Sequence, residues 1–456
     1  MCASACTHQP SAEVWHPTKR YIWIGNVLTV KTSDAQRAYD QGMKYFGIIS
    51  LILACAFTTT QTFAEDWPQW RGPARDGTVK AEAWPDSLDE QHLTQQWRVE
   101  LAEGYASPFI AGDKVFTVET RDKQDEIVRA FNLNTGEELW AVQWAASMTV
   151  PGFARKNGSW VRSTPATDGE RLYVGGMRDV LVCLDVNDGS EVFRVDFTER
   201  YDTNVPSFGY VSSPLIDGDA VYAQAGLSVC KIDKLTGKEI WRTLADERAM
   251  WGSAFSSPII AHVAGVRQLV VQTRMTLCGV NLETGDVLWT IPIKAFRGMN
   301  ILPPTVFNGN EIFTATYGGG TFVVKVDKDD DAFKVTPSWM LEMQGYMSSP
   351  VVIDGHAYLH RRDKKFSCIN LSTGKETWTH AGGFGEYWSM VVNGKQILAL
   401  DQDATLRLIN ADPAVYKPVS ARRVADAATW AHVAVVGKHV VIRELKGLSV
   451  WTWKTP

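Results

Sequence analysis

Several signatures are missing from this 456-residue sequence, and each absence closes a route. There is no G-x-S-x-G, no H-E-x-x-H and no phosphate-binding P-loop, so three common catalytic chemistries lose their usual motif. No C-x-x-C-H marks a c-type haem attachment. The nine histidines are scattered, and the one close pair, His356 and His360, falls in a strand-rich stretch where a spacing of four does not predict a shared metal. Asp327 to Asp331 is acidic but lacks the twelve-residue ligand spacing of a calcium loop, and reads as a solvated turn. No basic block stands out and the formal net charge is −5, which argues against nucleic acid as a partner. No apolar run is long enough to span a bilayer comfortably.

What remains is an ordinary globular balance, 45% hydrophobic and 21% charged, with an unusual 18 tryptophans. The N-terminus carries an export signal in an odd place. Residues 43–64, MKYFGIISLILACAFTTTQTFA, have a basic start, a short apolar core and a small residue, Ala64, at the end. Met43 is therefore the expected start, with residues 1–42 a mis-assigned upstream extension. The expected product is periplasmic or extracellular and begins at Glu65. The competing reading is a lipoprotein anchored through Cys55, because Ile52-Leu53-Ala54-Cys55 loosely matches a lipobox, and only that reading gives a membrane contact.

Internal repetition dominates the rest. One phrase, D/N-x-x-T-G-x-x-x-W, recurs at Asn132–Trp140, Asp233–Trp241, Asn281–Trp289 and Asn370–Trp378, with a variant at Asp185–Phe193. A second precedes each: Ser-Pro or Thr-Pro, a few apolar residues, a Gly-containing turn, then alternating apolar residues, as in SPFIAGDKVFTV and SPLIDGDAVYAQ. Proline opens a strand where it costs no ladder bond. The glycine turns make hairpins, and period-two alternation makes strands. Each unit is a four-stranded antiparallel sheet of about 45 residues, the size of a propeller blade.

Openings at Pro108, Pro165, Pro214, Pro258, Pro304 and Pro350, and degenerate ones near Met390 and Ala431, count eight units. The last supplies three strands, and LTQQWRVEL (93–101) fits the missing fourth. The expected fold is all-β: a single eight-bladed β-propeller over 93–456, closed by an N-terminal strand. Residues 65–92 form an arm before it, whose Trp67, Trp70 and Trp84 are expected on the outside.

These phrases resemble the PQQ-like β-propeller repeat, from about residue 66 to the end. The wider superfamily includes quinoprotein alcohol dehydrogenases and the outer-membrane assembly factor BamB. The resemblance implies the fold more than the function. In the dehydrogenases it implies PQQ, calcium, a catalytic Asp and a disulfide between adjacent cysteines. No Cys-Cys pair exists here, and the insertions carrying calcium ligands do not map onto the chain. Asp401 and Asp403 form an isolated D-x-D that reads as turn chemistry. No catalytic residue, metal or resident cofactor is expected, and PQQ with calcium enters only under the oxidoreductase alternative.

Cys183, Cys230, Cys278 and Cys368 all fall on third strands and read as small buried hydrophobes, although Cys183 and Cys230 could meet across one blade interface. Binding is expected at the mouth where loops enter the inner strands. Aromatic residues or Met precede nearly every inner strand, giving a candidate ring of Tyr105, Trp160, Tyr210, Trp251, Met299, Tyr346, Trp388 and Trp430, with Arg162 and Arg297 as its positive charges. Ser107, Ser163, Ser213, Ser257 and Ser349 lie beside it. The linker 141–161 is the longest between blades and is a candidate lid, with Arg155 and Lys156 exposed. These features point to an exported, non-catalytic binding or scaffolding module for a protein or peptide of the cell envelope, with a divergent PQQ-dependent oxidoreductase as the alternative.

Overall fold

The computed structural model describes residues 66–246 and 254–454. The expected signal segment, Cys55 and Trp251 lie outside the described residues.

Within them, thirty-two strands form eight four-stranded antiparallel sheets. The blades cover 109–145, 166–196, 215–243, 259–292, 305–341, 351–380, 388–423 and 434–453. In each of the first seven the strands pair in chain order. The eighth is completed by Leu93–Glu100, which pairs antiparallel with Gly447–Trp453. The ring is thereby closed by hydrogen bonds between the two ends of the described chain, and no blade is left with an unfinished edge.

The repeated phrases explain how blades adhere. Asn132 Oδ1 accepts from the amides of Asn134 and Thr135, which builds the Thr-Gly turn. Gly136 then takes φ +74°, and a Cβ there would sit 2.7 Å from the Trp97 ring. Where the next blade has such a glycine turn, the docking tryptophan thus lies flat on that glycine. Its indole N–H donates to a backbone carbonyl of that turn: Trp97 to Leu133 O at 2.8 Å, Trp140 to Val186 O at 3.0 Å, Trp241 to Leu282 O at 3.1 Å, Trp339 to Leu371 O at 2.7 Å. Glycine is required because the ring lies where a side chain would be.

Blade five departs as the sequence suggested. Its acidic run extends the outer hairpin, Gly320–Asp329 with Ala332–Leu341, and turns at exposed Asp330. Without a Thr-Gly turn to meet it, Trp289 of blade four donates instead to Gln268 Oε1 at 2.6 Å.

Cys183, Cys230, Cys278 and Cys368 are buried free thiols in the blade cores. Cys183 and Cys230 share one inter-blade cluster.

Candidate functional site

The arm does not pack on the outside as the sequence suggested. Its first part enters the channel. Ile110 N donates to Trp67 O at 2.9 Å and Thr167 N to Pro68 O at 2.8 Å, so the arm starts against the inner strands of blades one and two. It then crosses the ring. Arg75 donates to Pro214 O at 2.7 Å and Ser213 O at 3.0 Å, at the opening of blade three. Arg71 donates to Pro350 O at 2.6 Å, at the opening of blade six. Residues 77–79 finally join blade seven, with Val392 N bonded to Gly77 O and Val79 N to Val392 O. Trp67 is buried, and Trp84 is buried in a stack on Trp453. The physical reason is the inner-strand carbonyls: they face the channel without a ladder partner, and two guanidiniums satisfy them across its width. Burial lowers Arg71 to about 10 and Arg75 to about 9, so both stay charged at neutral pH.

This crossing forms a floor. Pro73, Ala74 and Asp76 face solvent on one side, while the Trp70 ring faces a cavity on the other, edge-on to His432 at 6.2 Å. The cavity above it has a volume of about 810 Å³.

A hydroxyl belt surrounds the cavity base. Ser107 N donates to Thr164 Oγ1 at 2.9 Å, Thr164 N to Ser213 Oγ at 3.2 Å, Ser213 N to Ser257 Oγ at 2.9 Å, and His432 N closes back onto Ser107 Oγ at 2.8 Å. In blades one to four the residue before the opening proline therefore staples its blade to a neighbour. Its recurrence was visible in the sequence, but its role was not. Pro303 holds the equivalent place in blade five and carries no hydroxyl, and Ser256 Oγ donates to Leu302 O there instead.

Of the residues singled out in the sequence, Tyr105, Arg162, Met299, Tyr346 and Trp430 line the cavity, with Ser107, Ser213, Ser257 and Ser349. Trp160 stands behind Tyr105, their ring centroids 5.3 Å apart. Arg297 sits at the rim against the exposed rings of Phe153 and Phe296, at 5.3 and 5.1 Å. Tyr210 and Trp388 do not reach the cavity. Tyr210 is buried, stacked on Phe197 below the mouth. Trp388 opens the inner strand of blade seven and is buried against His360 and Phe384. Ser163 is likewise buried and donates to Ser212 O at 2.9 Å. An aromatic placed just before a strand can point into a blade as readily as into the channel, and spacing does not separate the two.

Sequence reasoning missed Trp70, Phe153, Phe208, Phe255, Tyr317 and Tyr387, which supply much of the aromatic wall. The linker expected at 141–161 begins only after Ala145, because residues 141–145 belong to the outer strand of blade one, and the segment after them forms one side. Its turn Gly152–Asn157 is anchored by buried Val150 and Ala154 against Phe208. Tyr105 Oη donates to Asn157 O.

Arg162 occupies that same wall. Its guanidinium donates to Trp160 O at 2.7 Å and Gly158 O at 2.9 Å and lies against the Tyr105 and Phe208 rings at 5.4 and 5.7 Å. Burial lowers it to about 10, which leaves it charged. On the opposite side Arg361 is engaged by Asp363 at 2.9 Å, whereas exposed Arg362 lies over Tyr317 at 4.6 Å.

The lining fits the quinone that the resemblance implies only in part. The aromatic walls and guanidiniums suit a flat anion. The carboxylates do not suit calcium: among the described residues the cavity has Glu342, Asp363 and Glu386, with Asp363 engaged by Arg361. Among the described residues no three His, Cys, Asp or Glu side chains converge to hold a metal ion. The buried thiols lie away from the cavity wall.

The geometry defines a class: an eight-bladed propeller with a floored, aromatic cavity at the mouth where its inner strands begin. The sequence matches a family described as outer membrane protein assembly factor BamB over residues 87–159 and 124–380, and the chain belongs to that family. Among solved structures, it resembles BamB from Moraxella catarrhalis at 17% identity and a TM-score of 0.56, over 80% of this chain and 98% of that one. It also resembles quinohemoprotein alcohol dehydrogenase from Comamonas testosteroni at 13% identity and a TM-score of 0.59, over 85% and 80% of the two chains. A europium-containing methanol dehydrogenase aligns at 11% identity and a TM-score of 0.50, over 85% and 98%. Likeness at these identities is likeness of fold. No curated protein matches the sequence.

Proposed function

We propose that this protein is an exported, non-catalytic binding propeller of the cell envelope that takes a protein or peptide ligand in its mouth cavity. The observation that carries the reading is the floor built by Trp70, Arg71 and Arg75, which turns the channel into a blind, aromatic-walled receptacle. A receptacle of that size with a few fixed polar groups suits side chains of a polypeptide. Membership of a family described as an assembly factor supports a protein ligand. Among the described residues no helix is long and apolar enough to cross a membrane.

The test is a photo-crosslinking amino acid placed at Tyr346, on the cavity wall, or at Met340, which is 66% exposed on an outer strand. A covalent protein adduct in cells at position 346 and none at 340 is the expected result. No adduct at 346 overturns the reading. The alternative, a divergent PQQ-dependent oxidoreductase, draws on the same aromatic walls. Titration with PQQ, with and without calcium, followed by tryptophan fluorescence, decides it: saturable, calcium-dependent quenching would establish the alternative.

A further inference from the structure

Resting on the proposed binding role, the cavity's charge names the part of a ligand it reads. Among the described residues eight charged ones line it, and the cations outnumber the acids: Lys156, Arg162, Arg361, Arg362 and Lys364 against Glu342, Asp363 and Glu386. The excess of two survives ion pairing within the wall. Asp363 is engaged by Arg361, which also lies 3.6 Å from Glu376. Arg71 and Arg75 add two buried positive charges in the floor, bonded chiefly to neutral oxygens.

Arg162 is the best-placed of these cations. Among the described residues no carboxylate pairs with it. Two carbonyls hold its guanidinium and two ring faces flank it, so its orientation is fixed before any ligand arrives. A half-buried guanidinium balanced only by neutral groups has lost hydration without gaining a counter-ion, and a carboxylate supplies what is missing. The aromatic faces beside it suit a flat or long apolar neighbour of that carboxylate. The floor excludes threading, so a ligand must enter and leave by one mouth. That geometry suits the tip of a loop better than a strand running through.

We infer that the cavity binds an acidic loop tip of a partner protein, an Asp or Glu beside an aromatic or long apolar residue, with Arg162 as the seat of the carboxylate.

A disulfide-constrained heptapeptide phage library, selected on the purified protein, tests this. The expected result is enrichment of Asp or Glu beside an aromatic residue. Affinity of the best peptide, read by fluorescence anisotropy, should fall at least ~10-fold when its acid becomes the amide or when the protein carries Arg162→Gln. Arg162→Lys should restore part of the loss. Thermal unfolding establishes that Arg162→Gln is folded. Independently, Arg362→Gln, at an exposed position, should weaken binding a few-fold and flatten its salt dependence. Enriched peptides without an acid, or affinities indifferent to both Arg162→Gln and Arg362→Gln, would overturn the inference and leave the binding role standing. A library from which nothing is retained would overturn the binding role itself.

Discussion

At the scale of single residues, the molecule relies on a few charges in expensive places. Arg75 is 3% exposed, and its nitrogens satisfy two carbonyls of blade three and the side chain of Gln69. Truncation strips those oxygens of their donor inside the channel. Arg75→Ala should cost about 3 kcal/mol, measured by urea unfolding. Glu126 is a second such residue. It accepts from Met177 N at 2.6 Å and Trp144 Nε1 at 2.9 Å with no water access. Burial raises its carboxyl from 4.5 to about 7, against those hydrogen bonds. Between these values the folded state holds a proton that the unfolded chain has released. The contribution of Glu126 to stability therefore falls as pH rises through that window and is level above it. Buried His360 and His432, lowered to about 4 and about 3, act with the opposite sign up to pH 6.5. The clean measurement is thus a difference. Glu126→Gln should gain on the wild type by about 2 kcal/mol between pH 5 and pH 8, read from urea midpoints at each pH.

At the scale of elements, the unit of cohesion is the aromatic of one blade on the turn of the next. Trp140 lies against Gly189 and donates to Val186 O, and it also packs on Phe116. Trp140→Phe keeps the stacking area and loses one hydrogen bond, so it should cost about 1 kcal/mol. Trp140→Ala also opens a void at the blade interface and should cost about 3 kcal/mol. Chemical unfolding of the two variants separates these contributions. A result in which both cost the same would show that the indole N–H, and not packing, holds the interface. The repeat phrase made these contacts legible in advance, because Thr-Gly and Trp recur at fixed spacing. The belt was half legible. Ser-Pro and Thr-Pro were evident as strand openings, but a hydroxyl bonded to a neighbouring blade's amide is a contact between residues 44 to 57 apart for Ser213 and Ser107. Nothing in the local pattern shows which amide that will be.

At the scale of the whole molecule, closure matters most. Leu93–Glu100 pairs along its length with Gly447–Trp453, joining residues more than three hundred positions apart. Without it blade eight has an exposed edge and the ring loses its clasp. A chain lacking residues 93–100 should fail to give a cooperative unfolding transition and should aggregate, as size-exclusion chromatography and circular dichroism would report. Retention of a sharp transition would mean that seven complete blades hold the ring unaided.

The sequence by itself determined the blade: its length, its four strands and its turns are local and periodic, and its docking aromatics recur in most of the units. It also determined the closing strand, because three strands at one end and one at the other admit a simple completion. Only the tertiary structure decided where the arm goes and what the mouth contains. Arg71 and Arg75 look like turn residues in EDWPQWRGPARDG, and their partners, Pro350 and Pro214, lie in blades three apart around the ring. The same holds for the cavity wall, where Tyr105 and Trp430 face inward while Tyr210 and Trp388 turn into the blades. A repeat fixes how neighbours pack because the same contact recurs. A channel is made once, by residues from every blade meeting at the axis, and no period in the chain encodes that meeting.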